Sequence, residues 1–233
     1  MRKQKISTWI IAVLLCSIYL AIFVVAKNNL AAVSAEIAAS PVTIVIDAGH
    51  GGEDGGAVSV SGAKESQINL AVSRRLEQLA ALTGFSTYMI RSDDVAVYTG
   101  DCDTITEKKV SDLKNRVNIV NETENGLLVS IHQNTFSDGK YSGAQVFYAA
   151  EGESRVLAEQ LQSTFCQTLN PGSNRRCKRA DGVYLMEHIE KTGILVECGF
   201  LSNVQEEAKL RRSEYQKKLC CVIAATVCNF LDR

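Results

Sequence analysis

The sequence predicts an α/β domain that begins near residue 42 and contains a sheet with helices on both faces. Two observations predict this fold. Short runs of β-branched and aliphatic residues alternate with longer segments of helical periodicity, and a glycine-rich loop follows the first of these runs. Strands that alternate with helices form sheets whose functional groups gather at the carboxyl ends of the strands. The residues that follow each predicted strand are therefore the first candidates for a site.

The predicted elements follow one another closely along the chain. Six segments have strand character: Val42–Ile46, Phe85–Arg91, Leu127–Ile131, Ala144–Ala149, Val183–Met186 and Ile194–Val196. Four segments have helical character: Ser66–Leu82, Glu107–Asn121, Glu153–Thr168 and Ser213–Leu231. In the first helix Ile68, Val72 and Leu76 recur at helical spacing, and Gly84 ends it.

The N-terminus is predicted to be a transmembrane anchor. Basic residues in the first five positions precede an uncharged run, Ile6–Ala26, which is long enough to span a hydrocarbon core of ~30 Å. The basic flank predicts a cytoplasmic N-terminus and an extracytoplasmic main domain. We therefore divide the chain into an anchor (1–26), a linker (27–41) and a main domain (42–233). The alternative is a signal peptide cleaved near Ala31–Ala35, which would give a secreted protein.

Composition and motifs exclude several classes of function. The formal net charge of −1 argues against electrostatic binding to nucleic acid. The eight cysteines form no C-x-x-C pair, so a structural zinc knot is not expected. They are interpreted as small buried apolar residues, and a disulfide between two of them in an oxidising compartment stays open. The glycines match neither a P-loop nor a dinucleotide fingerprint, and no G-x-S-x-G elbow is present.

Side chains suited to a metal site stand at the predicted element boundaries. His50 follows the first strand, His132 follows the third, and Glu65 opens the helix after the glycine loop. Two imidazoles and one carboxylate from separate elements form an open zinc set with a fourth position for water. Glu197, which follows the last strand, would then serve as the general base.

On the residues alone this interpretation stays open. A histidine at a strand end is often only a satisfied polar residue, and a glutamate at a helix start is favoured by the helix dipole. Glu197 is the stronger signal, because a carboxylate directly after a buried apolar strand is costly unless it has a task.

Four motifs, in order, resemble the signatures of the zinc N-acetylmuramoyl-L-alanine amidases. They are Asp47–Ala57, Lys64–Glu65, Ser130–Asn134 and Val196–Asn203. The resemblance implies zinc ligation by His50, Glu65 and His132 and an acid/base role for Glu197. It also implies a peptidoglycan substrate, a catalytic domain over 42–233, and a twisted, mixed sheet of roughly six strands.

Three further segments resemble the germination-specific branch of this family in endospore-forming bacteria. They are Asp112–Val117, Tyr141–Gln145 and Lys178–Met186. This implies cleavage of the amide bond between N-acetylmuramic acid and L-alanine during maturation of the spore cortex, where muramic-δ-lactam forms. We assign Asn134, Arg179 and Leu185 to substrate binding, and the need for an activating protein partner stays open.

Two other functions compete with this interpretation. A zinc peptidase that cuts within the stem peptide would use the same metal site. A non-catalytic cell-wall-binding module is the second alternative, and the presence of all three candidate ligands together with Glu197 argues against it.

Overall fold

The computed structural model describes residues 17–25 and 42–233 of the chain. Residues 17–25 are helical and are labelled α1. Within these described ranges, no helix is both long enough and apolar enough to cross a membrane. The rest of the predicted anchor and the linker 27–41 lie outside the described residues, so the anchor stays a prediction.

Six strands form one mixed sheet in the main domain: β1 (Thr43–Ala48), β2 (Ser86–Met89), β3 (Gly126–Asn134), β4 (Gln145–Tyr148), β5 (Lys178–Arg179) and β6 (Thr192–Phe200). Their order across the sheet is β2-β1-β3-β6-β4-β5. β1, β2, β3 and β6 are parallel, whereas β4 is antiparallel to β6. The predicted mixed, six-stranded sheet is confirmed, and the carboxyl ends of β1, β3 and β6 meet at one edge.

Helices cover both faces of this sheet: α2 (Glu65–Leu82), α3 (Ile105–Glu122), α4 (Glu153–Thr168), α5 (Tyr184–His188), α6 (Val204–Leu210) and α7 (Ser213–Leu231). Ile46 and Val129 pack in one core with residues of α2, α4 and α7, whereas Val45 and Leu128 pack in a second core with residues of α3 and α5. Neighbouring residues of a strand point to opposite faces of the sheet, which explains why they pack in two separate cores. Helices on both faces are therefore confirmed.

One predicted strand is wrong. Val183–Met186 lies largely in α5, a single short helical turn. Leu185 and Met186 are both buried against the second core. The predicted segment has only four residues, too few to show a periodicity that separates a strand from a helix, which is why the sequence pattern misleads here.

Two strands are longer than predicted, and this changes where the candidate residues lie. β3 and β6 continue past the apolar runs to Asn134 and Phe200. His132 and Glu197 are therefore inside strands and not in the loops that follow them. The helix α6 was not predicted. Its start is capped by Asn203, whose side chain accepts hydrogen bonds from two backbone N–H groups.

Candidate metal centre

Three side chains from separate elements meet at the carboxyl edge of the parallel strands. His50 lies two residues beyond β1, Glu65 is the first residue of α2, and His132 lies near the end of β3. Glu65 Oε2 is 3.3 Å from His50 Nε2, and Glu65 Oε1 is 3.0 Å from His132 Nδ1. One ligand atom from each residue lies within 4.8 Å of the others. This donor set could hold a metal ion.

Glycines make room for these three side chains. A Cβ atom at Gly49 would overlap the imidazole ring of His132. A Cβ atom at Gly56 would lie 2.6 Å from Glu65 Oε2 and 2.7 Å from His50 Cδ2. Gly56 also has a φ of 67°, a left-handed conformation that glycine adopts without steric cost. Gly49 and Gly56 are therefore explained by the close approach of the candidate ligands.

Two buried arginines bind the backbone of the loop that carries His50. Arg91 donates to the carbonyl oxygens of Ala48 (2.7 Å) and Gly49 (3.1 Å). Arg116 donates to the carbonyl oxygens of Ala48 (3.1 Å) and His50 (2.9 Å). His50 itself has a φ of 62°, which is uncommon for a residue other than glycine. The two guanidinium groups therefore stabilise a loop conformation that is strained at His50.

Asp47 and Asp112 neutralise Arg116. Asp47 forms a buried ion pair with Arg116 and accepts a hydrogen bond from Ser130 Oγ at 2.6 Å, and Asp112 accepts from Arg116 Nε at 2.7 Å. Burial alone would raise the pKa of Asp47, but Arg116, His132 and Ser130 outweigh burial and lower this pKa. The two carboxylates therefore stabilise the buried positive charge of Arg116, which would be costly if it had no partner.

Asn69, on the buried face of α2, joins the segments that carry the candidate ligands. Its Nδ2 donates to the carbonyl oxygen of Gly49 (3.1 Å) and to Glu65 Oε1 (3.2 Å), and its Oδ1 accepts from Gln133 Nε2 (3.1 Å). The backbone N–H groups of Gln133 and Ala57 donate to the two oxygens of Glu65. Hydrogen bonds of this kind orient the ligands of metal sites.

The charges in the site hold Glu65 ionised. Burial would raise the pKa of Glu65, but hydrogen bonds and charge interactions with His132 and His50 hold this pKa well below its usual range. Asp54 Oδ2 lies 3.0 Å from His50 Nδ1 on the side opposite to Glu65. Burial lowers the pKa of His50, but Glu65 and Asp54 outweigh it and raise this pKa to about 9. The protonated, positively charged ring of His50 is therefore stabilised between Glu65 and Asp54.

Glu197 lies beside the three candidate ligands. Its Cα atom pairs with that of His132 on β3 and, on the other side, with that of Gln145 on β4. Burial raises the pKa of Glu197 to about 7, an effect that His132 opposes and Glu65 increases. Its Oε2 atom is buried and has no hydrogen-bond partner among the described residues. A carboxylate with this pKa and an unpaired oxygen is suited to proton transfer.

The predicted substrate-binding residues lie at three different places. Asn134 is the last residue of β3, two residues beyond His132 on the same strand. Arg179 ends the edge strand β5, where it is exposed and pairs with Asp181 at 3.4 Å. Leu185 is buried in α5. Their roles in substrate binding stay predictions.

The sequence analysis did not predict the roles of four residues that orient the candidate ligands or the loop that carries His50: Asp54, Asn69, Arg91 and Arg116. Asn69 and Arg116 carry a sequence signal, because each is a polar residue beside the apolar positions of a predicted helix. Arg91 also carries a signal, because it is a polar residue at the end of the predicted strand Phe85–Arg91. Asp54 lies in the glycine-rich loop, which has no helical or strand periodicity.

Two imidazoles and a carboxylate that could hold a metal ion converge beside a further carboxylate at the edge of an α/β sheet, an arrangement typical of hydrolases. The chain belongs to the N-acetylmuramoyl-L-alanine amidase family, whose family model matches residues 44–229. The resemblance carried by the four sequence motifs is therefore confirmed.

Named relatives and solved structures support this membership. The germination-specific N-acetylmuramoyl-L-alanine amidase of Bacillus subtilis is 36% identical over 183 residues, which are 77% of this chain and 76% of that protein. The CwlD amidase from Clostridioides difficile, solved in complex with the GerS lipoprotein, matches with a TM-score of 0.78 and 34% identity over 82% of this chain and 98% of that chain. The catalytic domain of the amidase CwlV from Bacillus (Paenibacillus) polymyxa matches with a TM-score of 0.68 and 28% identity, over 82% of this chain and 98% of that chain.

Proposed function

We propose that this chain is a zinc-dependent amidase that hydrolyses the bond between N-acetylmuramic acid and L-alanine in peptidoglycan. The observation that carries the proposal is the position of Glu197, directly opposite His132 and beside the candidate metal ligands. Membership of the amidase family supports the substrate and the bond.

In this mechanism His50, Glu65 and His132 would hold the zinc ion. A bound zinc ion polarises a carbonyl group and lowers the pKa of a water molecule. Glu197 accepts the proton of the attacking water at its buried, unpaired Oε2 atom. The water oxygen bonds to the lactyl carbonyl carbon, and Glu197 returns the proton to the L-alanine nitrogen as the amide bond breaks. The products are a free lactyl carboxylate and a stem peptide with an amino terminus.

Analysis of the products of a peptidoglycan digest tests this proposal. An amidase releases intact stem peptides that begin with L-alanine and leaves the glycan strands uncut. A zinc peptidase would expose other amino termini and leave L-alanine on muramic acid, and a wall-binding module would release nothing. Either of these outcomes would overturn the proposal.

We also propose that the reaction takes place in the spore cortex. The support is the similarity to the germination-specific amidase of Bacillus subtilis. Removal of the stem peptide frees the lactyl carboxyl group from which muramic-δ-lactam forms. Deletion of the gene should leave vegetative growth intact and remove the lactam from the cortex. A chaining defect in growing cells with normal cortex lactam would contradict this role.

The N-terminal segment is proposed to be a single-pass anchor that leaves the catalytic domain outside the membrane. The support is the basic start followed by the uncharged run Ile6–Ala26. The full chain should stay in the membrane fraction after carbonate extraction, and protease added to protoplasts should degrade the catalytic domain. A processed soluble form as the main species would favour the signal-peptide alternative.

A protein partner is proposed because the related CwlD amidase was solved in complex with a lipoprotein. If such a partner is needed for activity, the purified chain alone should release stem peptide slowly, and extract from sporulating cells should accelerate it. Full activity of the purified chain alone would argue against this requirement.

A further inference from the structure

An exposed aromatic cluster lies at the same sheet edge as Glu197. β6 carries Glu197 and ends at Phe200, so these two Cα atoms are at most ~10 Å apart along the strand. The ring centroid of Tyr141 is 6.2 Å from that of Phe200, and the ring centroid of Phe136 is 5.0 Å from that of Tyr141. The three rings therefore extend outward from the end of the strand that carries the candidate general base.

The exposure of the rings increases along this series. Phe200 is 5% exposed, Tyr141 is 39% exposed and Phe136 is 54% exposed. Lys140 lies over the Tyr141 ring, with its Nζ atom 5.3 Å from the centroid. The outer two rings therefore offer aromatic surface to a ligand, next to a cationic side chain.

Arg175 connects the cluster to the other neighbour of Glu197. Its guanidinium carbon is 5.2 Å from the centroid of Phe200. It donates to Gln145 Oε1 at 3.3 Å and to the carbonyl oxygen of Ser142 at 3.0 Å. Because Gln145 is the Cα partner of Glu197 on β4, Arg175 connects the aromatic cluster to the strand that pairs with Glu197.

The loop that presents the outer rings is held against the segment that follows β6. The N–H group of Phe136 donates to Ser202 Oγ at 3.1 Å, and Asn203 Nδ2 donates to the carbonyl oxygen of Gly139 at 2.8 Å. A Cβ atom at Gly139 would lie 2.8 Å from the carbonyl oxygen of Ser202, so the loop packs closely there. Aromatic side chains on a loop that is already ordered lose little entropy when a ligand binds.

We propose that Phe136 and Tyr141 form a subsite that stacks against sugar rings of the glycan strand. The proposal rests on the amidase function proposed above. Sugar rings present apolar C–H faces that pack on aromatic rings, and a carbohydrate polymer extends well beyond the bond that is cut. The subsite would favour muramoyl peptides that are part of a strand over those on a single sugar.

Steady-state kinetics with two substrates test the subsite. The substrates are glycan strands of several disaccharides that carry stem peptides, and a peptide on a single N-acetylmuramic acid. Phe136→Ala and Tyr141→Ala should each raise KM for the strands, by about tenfold more than for the single-sugar substrate. Tyr88→Ala is the control, because Tyr88 is 48% exposed on the edge strand β2. Circular dichroism checks that the variants are folded.

Binding of glycan strands without peptides separates this proposal from the amidase function, since no bond is cut. Wild type and Tyr88→Ala should retain these strands, and the Phe136→Ala/Tyr141→Ala double variant should bind them about tenfold more weakly. Equal binding by all three proteins, or equal losses on both kinetic substrates, would overturn the subsite. An effect that follows the length of the peptide and not the number of sugars would also overturn it.

Discussion

His132 and Glu197 stand opposite each other on adjacent parallel strands of the sheet. The pairing places a candidate metal ligand and a candidate proton acceptor on the same face, one strand spacing of ~4.8 Å apart. Buried apolar residues, among them Val129 and Ile131 on β3 and Ile194 and Val196 on β6, fix the register of the two strands below this pair. A slip of one residue would turn one of the two side chains to the opposite face.

Glu197→Gln separates catalysis from metal binding. The variant should release stem peptide about 10²–10⁴-fold more slowly, because the general base is lost. It should retain its zinc, because His50, Glu65 and His132 are unchanged. Glu65→Gln should lose zinc as well as activity. Peptide release and metal content measure the two effects. Wild-type activity of Glu197→Gln would make its role structural, and loss of its zinc would make Glu197 a fourth ligand.

Gly49→Ala should weaken zinc binding, because the added Cβ atom would overlap the ring of His132. Gly55→Ala is the matched control in the same loop, since its Cβ atom would meet only the flexible side chain of Lys64, at 3.1 Å. Competition with a chelator of known affinity measures zinc binding. Equal affinities in the two variants would show that His132 does not need the space that Gly49 leaves.

Arg116→Met should destabilise the fold by about 3–5 kcal/mol, because it leaves the carboxylates of Asp47 and Asp112 without their buried partner. Arg155→Met should cost much less, because its ion pairs with Glu151 and Glu159 are exposed and screened by solvent. Urea unfolding gives both free energies. Similar losses in the two variants would contradict the structural importance assigned to the buried arginine.

His50 predicts how the stability of the metal-free protein depends on pH. Glu65 and Asp54 raise the pKa of His50 from 6.5 to about 9 against the effect of burial. The folded state therefore favours the protonated ring, so this stabilisation is complete below pH 6.5 and is lost as pH rises through about 9. The free energy of unfolding in urea and chelator should fall over this window, and His50→Gln should show a smaller decrease. An equal decrease in both proteins would contradict the pairing.

Local patterns predict the long elements of the fold and fail for the short ones. α4 and α7 have the predicted bounds, because each contains several turns of amphipathic periodicity. α5 has five residues, too few for a period to show. The predicted ends of β3 and β6 are too early, because both strands continue through the polar residues His132 and Glu197.

In the candidate site too, local sequence patterns predict some residues and miss others. His50, His132 and Glu197 are recognisable because polar residues after apolar runs stand out in a sequence. The residues that support them act over long separations: Asn69 binds the backbone of Gly49, 20 residues away, and Arg116 binds Asp47, 69 residues away. Such contacts depend on how α2 and α3 pack on the sheet, and a local pattern does not contain that information.

The zinc dependence of stem-peptide release tests the central claim most directly. Purified protein is treated with a chelator, its residual metal is measured by mass spectrometry, and peptidoglycan is digested before and after zinc is added. We expect release of L-alanyl peptides to stop without metal and to return when one equivalent of zinc is added. His132→Ala, which lacks one candidate ligand, should not recover. Full release by protein with negligible metal content would contradict the claim that His50, Glu65 and His132 form the catalytic metal centre.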